Sequence, residues 1–480
     1  MQLSNQYANL GEAFSQTIDP ESVALPALLL WNQPLAEYLG IDATSPKQLA
    51  TYFAGNERLP GSTPIACAYS GHQFGHFNPQ LGDGRAHLLG ELTDKQGNQW
   101  DLQLKGSGRT RFSRQGDGKC ALSPALREYL MSEAMFALGV PTTRALAVVT
   151  TGEQVFREET KPGAVVTRVA SSHLRVGTFQ YFAARQDHEA LSTLVDFAIA
   201  RHYPELADSK NRALALLDAV IDKQITLITH WLRVGFIHGV MNTDNTAISG
   251  ETIDFGPCAM LGVYHPGTVY SSIDSQGRYA FGNQATICRW NMARLAETLL
   301  PLIDEDEEAA LAKAEALIAN FAGKFEQAYL DMNAAKIGIT KRKAPDGDLI
   351  IELLELMQSH KLDYTQTYQV LADTLSSGSP LPAEFEGLEE WVNKWHNTLQ
   401  QRSIETNDAM QLMAKTNPVV IPRNHHVEAV LQIVELTGRT DAFDAFLEVL
   451  KQPYETLPTT SNYQDTPADG DQYYQTFCGT

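Results

Sequence analysis

The chain has 480 residues, 43% of them apolar and 20% charged, the proportions of an ordinary globular protein. It is too long for one core, so two or three packed lobes are expected. The formal net charge of −20 argues against nucleic acid or an anionic membrane as a partner, and any nucleotide site must be a local basic pocket. No apolar run reaches the roughly 18–20 residues of a membrane span. The opening MQLSNQYANLGEAF carries no leader pattern, and a cytoplasmic location is expected. Cys67, Cys120, Cys258, Cys288 and Cys478 show neither CxxC spacing nor His partners at zinc spacing, which argues against a disulfide scaffold and a structural zinc.

Residues 60–150 alternate short apolar pieces with Gly-rich turns. In NPQLGDGRAHLLGE, Gly82 and Gly84 flank Asp83, and Arg85 follows; the turn could bring backbone N–H groups to phosphates or be a tight hairpin only. WDLQLKG puts Trp100, Leu102 and Leu104 on one face and Asp101, Gln103 and Lys105 on the other, the period of a half-buried strand. The basic loop 105–119, with Arg109, Arg111, Arg114 and Lys119, is either solvated surface or a cover over a cleft, in which Asp117 and Gly118 could reach a ligand. SPALREYLMSEAMFALGVP predicts a helix with Ser123 as N-cap and Pro124 at its first position, ending at Gly139. ALAVVTT and GAVVTRVA predict strands. The second carries Arg168, a costly charge that either a bound polyphosphate or a structural carboxylate could satisfy; Arg175 follows.

NRALALLDAVIDKQITLITHWLRVG predicts a long helix. Residues 285–335 and 348–375 also read as helical, with the acidic DEDEE at 304–308 on a solvated face. The stretch 376–387 predicts a linker and the tail after 452 a loosely held polar segment. A strand-rich front followed by a helical back is the layout of a protein-kinase-like α+β fold in two lobes. The expected division is 1–185 (N-lobe), 186–345 (C-lobe), 346–452 (helical C-terminal extension) and 453–480 (tail).

Chemistry concentrates in GFIHGVMNTDNTAISGETIDFG, 235–256. His238-Gly239 opens a kinase-type loop. Counting from His238, the catalytic Asp should fall at 240 and the metal-binding Asn at 245; the chain supplies Val240 and Asn245. Asp254, in Ile-Asp-Phe-Gly, follows across an expected hairpin turning at Ser249-Gly250, and amide oxygen plus carboxylate on adjacent strands would suit Mg²⁺ beside phosphates. Lys105 and Glu128, from strand and helix, are the expected phosphate clamp. With Val240 in place of the base, Asp244 is the candidate proton acceptor. A reversed nucleotide would then send its terminal phosphates to the Lys and Arg residues and present its α-phosphate to the metal and Asp244.

SGHQFGHFNPQLGDGRA, LQLKGSGRTRFSRQGDGK, REYLMSEAMFALGVPTTRAL, HGVMNTDN…IDFGP and NPVVIPRNHH together resemble the selenoprotein O family, the bacterial YdiU-like proteins, along most of the chain. The resemblance implies a kinase-like fold binding ATP in the inverted pose. It further implies AMP transfer to Ser, Thr or Tyr hydroxyls of proteins, self-modification included, with possible UMP transfer from UTP and with Mg²⁺ or Mn²⁺. It assigns nucleotide contacts to Gly82, Gly84, Arg85, Asp117 and Gly118, the phosphate lysine to Lys105 with Glu128 its partner, and phosphate binding to Arg168 and Arg175. Asp244 becomes the proton acceptor, and Asn245 and Asp254 the metal ligands. Some relatives pair a terminal Cys with one after the DFG; here that place holds Tyr270, so a redox latch is in doubt, with Cys258 and Cys288 left as partners for Cys478. Two rival readings are a kinase with a displaced base and a non-catalytic nucleotide-binding scaffold.

Overall fold

The computed structural model describes residues 2–42 and 45–477; Cys478 lies outside them. Among the described residues the strands are β1 (Ser15–Thr17), β2 (Ala27–Trp31), β3 (Ile65–Cys67), β4 (Gly71–Gln73), β5 (His76–Asn78) and β6 (Ala86–Thr93). They continue as β7 (Gln99–Lys105), β8 (Cys120–Ala121), β9 (Arg144–Phe156), β10 (Thr160–Ala170), β11 (Phe236–Ile237) and β12 (Ala259–Met260). An antiparallel sheet runs β1-β3-β6-β7-β10-β9-β2, with β8 added to β10. Helices α1 (Gln33–Tyr38) and α2 (Pro46–Phe53) cover one face of it, and α3 (Leu122–Ala137) packs on β9 and β10 from the other. The rest is helical: α4 (Val176–Ala183), α5 (His188–His202), α6 (Arg212–Val234), α7 (Gln284–Ile303), α8 (Glu307–Lys336) and α9 (Ala344–Ser359). It ends in α10 (Tyr364–Ser377), α11 (Glu389–Gln401), α12 (Thr406–Thr416), α13 (Asn424–Thr437) and α14 (Asp441–Leu450). This is an α+β architecture, strands first and helices after. No helix is long and apolar enough to cross a membrane.

The alternation in β7 is as expected, but the strand is buried on both faces. Leu102 and Leu104 enter the apolar cluster under α1 and α2, while Asp101, Gln103 and Lys105 lie in a dry polar layer on the other side. Such a layer is tolerable only if each group is paired. Asp101 is, accepting from Arg201 at 2.7 Å and from the His173 N–H at 2.8 Å. Helix α6 matches its expected span: Asn211 caps it by accepting from the Leu214 N–H, and Gly235 closes it in the left-handed region. Helix α3 begins one residue before the expected cap, at Leu122, because β8 pairs with β10 as far as Ala121 and hands straight into the first turn. Its end at Gly139, φ 72°, is as expected.

Three other expectations need correction. The acidic run is solvated as expected, but it breaks the helix expected over 285–335 into α7 and α8: Asp306 caps α8, whose first turn holds Glu307 and Glu308, and Asp304 pairs with Lys313. The segment 246–252 forms no hairpin of its own, since Ala247 bridges to Arg175 and Thr252 to Thr142. The polar tail is docked: the Tyr454 hydroxyl donates to the Leu138 carbonyl at 2.9 Å, and the Thr476 N–H donates to the Tyr270 carbonyl at 2.8 Å. One apolar cluster runs from Tyr7 and Phe14 through α3, α6 and α7 to Leu450, so strand-rich and helical parts share a core. Asn424 at the head of α13 stitches this arrangement to β12, accepting from the Met260 N–H at 2.9 Å and donating to its carbonyl at 2.8 Å. Asn424→Ala strands both backbone groups in a buried place and should cost about 3 kcal/mol of unfolding free energy. Denaturant titration reads it; an unmoved midpoint would mean water replaces the amide.

Candidate active site

Strands β7 and β10 are neighbours, with Arg168 opposite Gln103 and Val166 opposite Lys105. Lys105 and Arg168 are therefore diagonal neighbours on one face. Helix α3 lies over that face and brings Glu128 between them. Lys105 Nζ donates to Glu128 Oε2 at 2.7 Å and to Asp254 Oδ1 at 2.8 Å. Arg168 pairs with both oxygens of Glu128, Nη2 at 3.1 Å from Oε2, and donates to Asp254 Oδ1 at 3.2 Å. Of the two partners weighed for Arg168, the structural carboxylate is present. Burial alone would raise the Glu128 carboxyl, but Arg168 and Lys105 hold it below the ordinary value. The same two cations outweigh burial at Asp254 and hold it well below the carboxylate range. Asp254 stands at φ 66°, a strained setting for a non-glycine residue.

His238 sits fully buried on the far side of this loop, its Nε2 at 2.8 Å from the Ile253 carbonyl, so it fixes the backbone just before Asp254. The expected adjacent strands for the metal ligands do not form; Asn245 instead ends a short helical turn, Thr243–Asn245. Its Nδ2 donates to the Val240 carbonyl at 3.1 Å, which fixes the orientation of the amide. The bonds from Lys105 and Arg168 to Asp254 both fall on Oδ1. Asp254 Oδ2 and the Asn245 amide oxygen are thus the hard oxygen donors a Mg²⁺ or Mn²⁺ would take, and this donor set fits such an ion. Asn245, Asp254, Val240, Lys105, Arg168, Arg175 and Asp244 line one cavity of about 470 Å³.

A second cavity of about 500 Å³ adjoins it, sharing Tyr69, Gln73, Gly84, Arg85, Arg114 and Asp244. Its outer wall is the basic loop, including Asp117, Gly118 and Lys119, with Arg157 behind. The loop is a cover rather than free surface. Gly82 and Gly84 are required for its close approach: a Cβ on Gly82 would lie 2.2 Å from the Phe112 ring, and one on Gly84 2.8 Å from the Phe112 carbonyl oxygen. Asp117 is engaged by Arg157 at 2.8 Å and by the Lys119 N–H at 3.0 Å. Asp83 between the two glycines points inward, accepting from the Cys67 N–H at 3.1 Å and from Gln103 at 3.3 Å. Arg175 differs from Arg168. It donates to the carbonyls of Asp244 at 3.0 Å and His173 at 3.2 Å and lies over the Tyr69 ring, with no ion pair among the described residues.

Asp244 stands where the two cavities meet. Among the described residues its buried Oδ1 has no hydrogen-bond partner, and its Oδ2 accepts from Gln73 at 3.2 Å. Burial, opposed by its own backbone N–H, Arg175 and Gln73, pushes its carboxyl up to about 6. The β4–β5 hairpin covers it so tightly that a Cβ on Gly71 would lie 2.6 Å from Oδ1. Phe74 and Gly75 at the tip both have positive φ, and the Phe74 N–H is held by Asn242 and Tyr279 at 3.1 and 3.2 Å. Tyr69, Gln73, Arg157 and Phe112 escaped the sequence reading. The only local signal was the Phe-Gly turn between short polar-apolar alternations. Cys258 and Cys288 are buried free thiols among the described residues, and any pairing with Cys478 lies outside them.

A family model described as "Protein adenylyltransferase SelO" matches residues 1–451. A protein of Teredinibacter turnerae named "Protein nucleotidyltransferase YdiU" is 52% identical over 485 residues, covering 100% of both chains. Similarly named proteins of Pseudoalteromonas translucida and Rhizobium rhizogenes are each 50% identical, over 481 and 483 residues, covering at least 99% of this chain and at least 96% of their own. Likeness at that level from end to end, over a cavity lined by just these charged side chains, puts the chain in the SelO family, and with it among the nucleotidyltransferase enzymes.

Proposed function

We propose that the chain is a protein adenylyltransferase of protein-kinase-like fold, moving AMP from ATP to Ser, Thr or Tyr hydroxyls of proteins, itself included, with UTP as a second donor. In this reading residues 1–185 form the N-lobe with the phosphate clamp and 186–345 the metal-binding C-lobe. Residues 346–452 are a helical extension and 453–480 its tail. The observation that carries it is Asp244: a buried carboxylate with one unpartnered oxygen, on the wall of a cationic cavity in which Val240 takes the place of a kinase base.

The acceptor oxygen attacks the α-phosphorus, the α–β phosphoanhydride bond breaks, and the hydroxyl proton passes to Asp244. Lys105, Arg168 and Arg175 answer the charge gathering on the departing pyrophosphate, and Glu128 keeps the first two oriented. Gly82, Gly84, Arg85, Asp117 and Gly118 hold the nucleotide from the outer cavity. Asn245 and Asp254 would hold Mg²⁺ or Mn²⁺, which supplies neutralisation of phosphate charge.

Incubation with α- and γ-labelled ATP tests the transfer. Label from the α position should stay on protein and label from the γ position should leave as pyrophosphate; retention of the γ label alone means a kinase. Asp254→Asn should remove acceptor labelling, its own included, and undiminished labelling would reject the metal assignment. Transfer should rise with pH through about 6, where Asp244 loses its proton, and level off above it. Asp244→Asn should lower the rate about a hundredfold and erase that inflection.

The same group sets a stability signature. Its folded value of about 6 lies above the ordinary 3.8, so the fold favours the protonated form. The ionisation penalty is absent below the unfolded value and complete above the folded one. Asp244→Asn should therefore raise the melting temperature more at pH 8 than at pH 5, with a gain of about 3 kcal/mol at pH 8. Equal gains at both pH values would show that the carboxyl is not perturbed.

A further inference from the structure

His425 and His426 are consecutive in the first turn of α13, where side chains one residue apart diverge by roughly 100° and do not ordinarily face each other. Here they converge. Their ring centroids are 4.1 Å apart, and both bring Nε2 to the same carboxylate, His426 at 2.6 Å from Asp465 Oδ1 and His425 at 3.3 Å from Asp465 Oδ2. The three ligand atoms lie within 4.8 Å of one another, the sole such His, Cys, Asp or Glu group among the described residues. Asp465 comes from the C-terminal segment, just beyond the short helical turn Thr460–Tyr463, forty residues after His425 in the chain.

We propose that His425, His426 and Asp465 form a binding site for a divalent transition metal of the zinc, nickel and cobalt class, which clasps the C-terminal segment to α13. Two imidazoles and one carboxylate are the donors such ions favour over Mg²⁺ or Ca²⁺, which take oxygen. Bonds of about 2.1 Å would set neighbouring donor atoms roughly 3.0–3.4 Å apart; the two imidazoles stand 2.6 and 3.3 Å from Asp465, and all three donor atoms lie within 4.8 Å, so an ion would draw the group together about itself. His426 is wedged against Phe446 and Tyr463, which holds its ring in place, whereas the Asp465 side chain is 61% exposed and gives an ion a way in. Three protein ligands leave the remaining position to water.

The clasp has a structural reach. Two residues beyond His426, Glu428 binds Arg127 at 2.7 Å and the tail hydroxyl of Tyr474 at 2.7 Å, and Arg127 precedes Glu128 in α3. The site is separate from the cleft and does not depend on how the cleft acts.

The test uses the untagged full chain carrying Asp254→Asn, so that the cleft contributes no metal. Zinc titration by calorimetry should show a single equivalent bound, with a rise in melting temperature, undisturbed by millimolar Mg²⁺. Cobalt should give a visible absorption band displaced by zinc. Adding Asp465→Asn or His426→Gln should abolish the band, the stoichiometric zinc and the thermal gain. Asp465 is exposed, so its variant decides the matter should His426→Gln fold poorly. An absent band in the parent, or a band and zinc equivalent unchanged in Asp465→Asn, overturns the proposal.

Discussion

Everything in the cleft depends on one balanced cluster, two cations against two carboxylates, packed between β7, β10 and α3. Burying any one of these charges alone would cost several kcal/mol. Together they are mutually satisfied, and that satisfaction fixes where the strand, the helix and the loop at Asp254 sit relative to each other. Asp254 belongs both to this cluster and to the donor pair with Asn245. A cation held by the proposed pair Asn245 and Asp254 would share this carboxylate with Lys105 and Arg168, which bind its Oδ1. Glu128, with both oxygens engaged, keeps those two cations in position.

Around this cluster the protein is strongly acidic, yet the cavity walls carry Arg85, Lys105, Arg114, Lys119, Arg157, Arg168 and Arg175. A low-dielectric recess in which cations outnumber carboxylates, seven to four, concentrates positive field inside an otherwise acidic protein. Asp83, Asp117, Asp244 and Asp254 also line the recess, and Asp244 differs from Asp117 and Asp254 in having no salt bridge to a cation among the described residues. Its carboxylate sits under the β4–β5 hairpin, with Arg175 held by its own backbone carbonyl, so geometry places the group with the weakest hold on its charge beside the strongest cationic field.

Features with local causes were legible in the sequence. The span of α6 follows from Asn211 and Gly235, each acting within one turn. Lys105 and Glu128 could be paired in advance because strand alternation and helix phase both aim side chains predictably. The spacing from His238 located Asn245, and the DFG located Asp254, so the charged lining of the inner cavity was visible before any coordinates. What depended on distant partners was not. The segment 246–252 bridges to Arg175 and Thr142, which no local pattern reveals. The tail looked loose because its composition is polar, but Tyr454, Tyr474 and Thr476 each find a buried partner far away in sequence. The start of α3 was missed because β8, two residues long, overrode the Ser-Pro signal. The hairpin over Asp244 escaped because its role lies in what it covers.

The uninterrupted apolar cluster from Tyr7 to Leu450 has a mechanical consequence. Two bodies joined by a slender linker can swing apart about a hinge; two bodies sharing one close-packed interior cannot do so without tearing it. Access to the cleft is thereby left to its thin coverings, the glycine-bearing segment 105–119 and the strained tip at Phe74-Gly75. Loops of that size move in nanoseconds to microseconds rather than on the slower scale of domain closure.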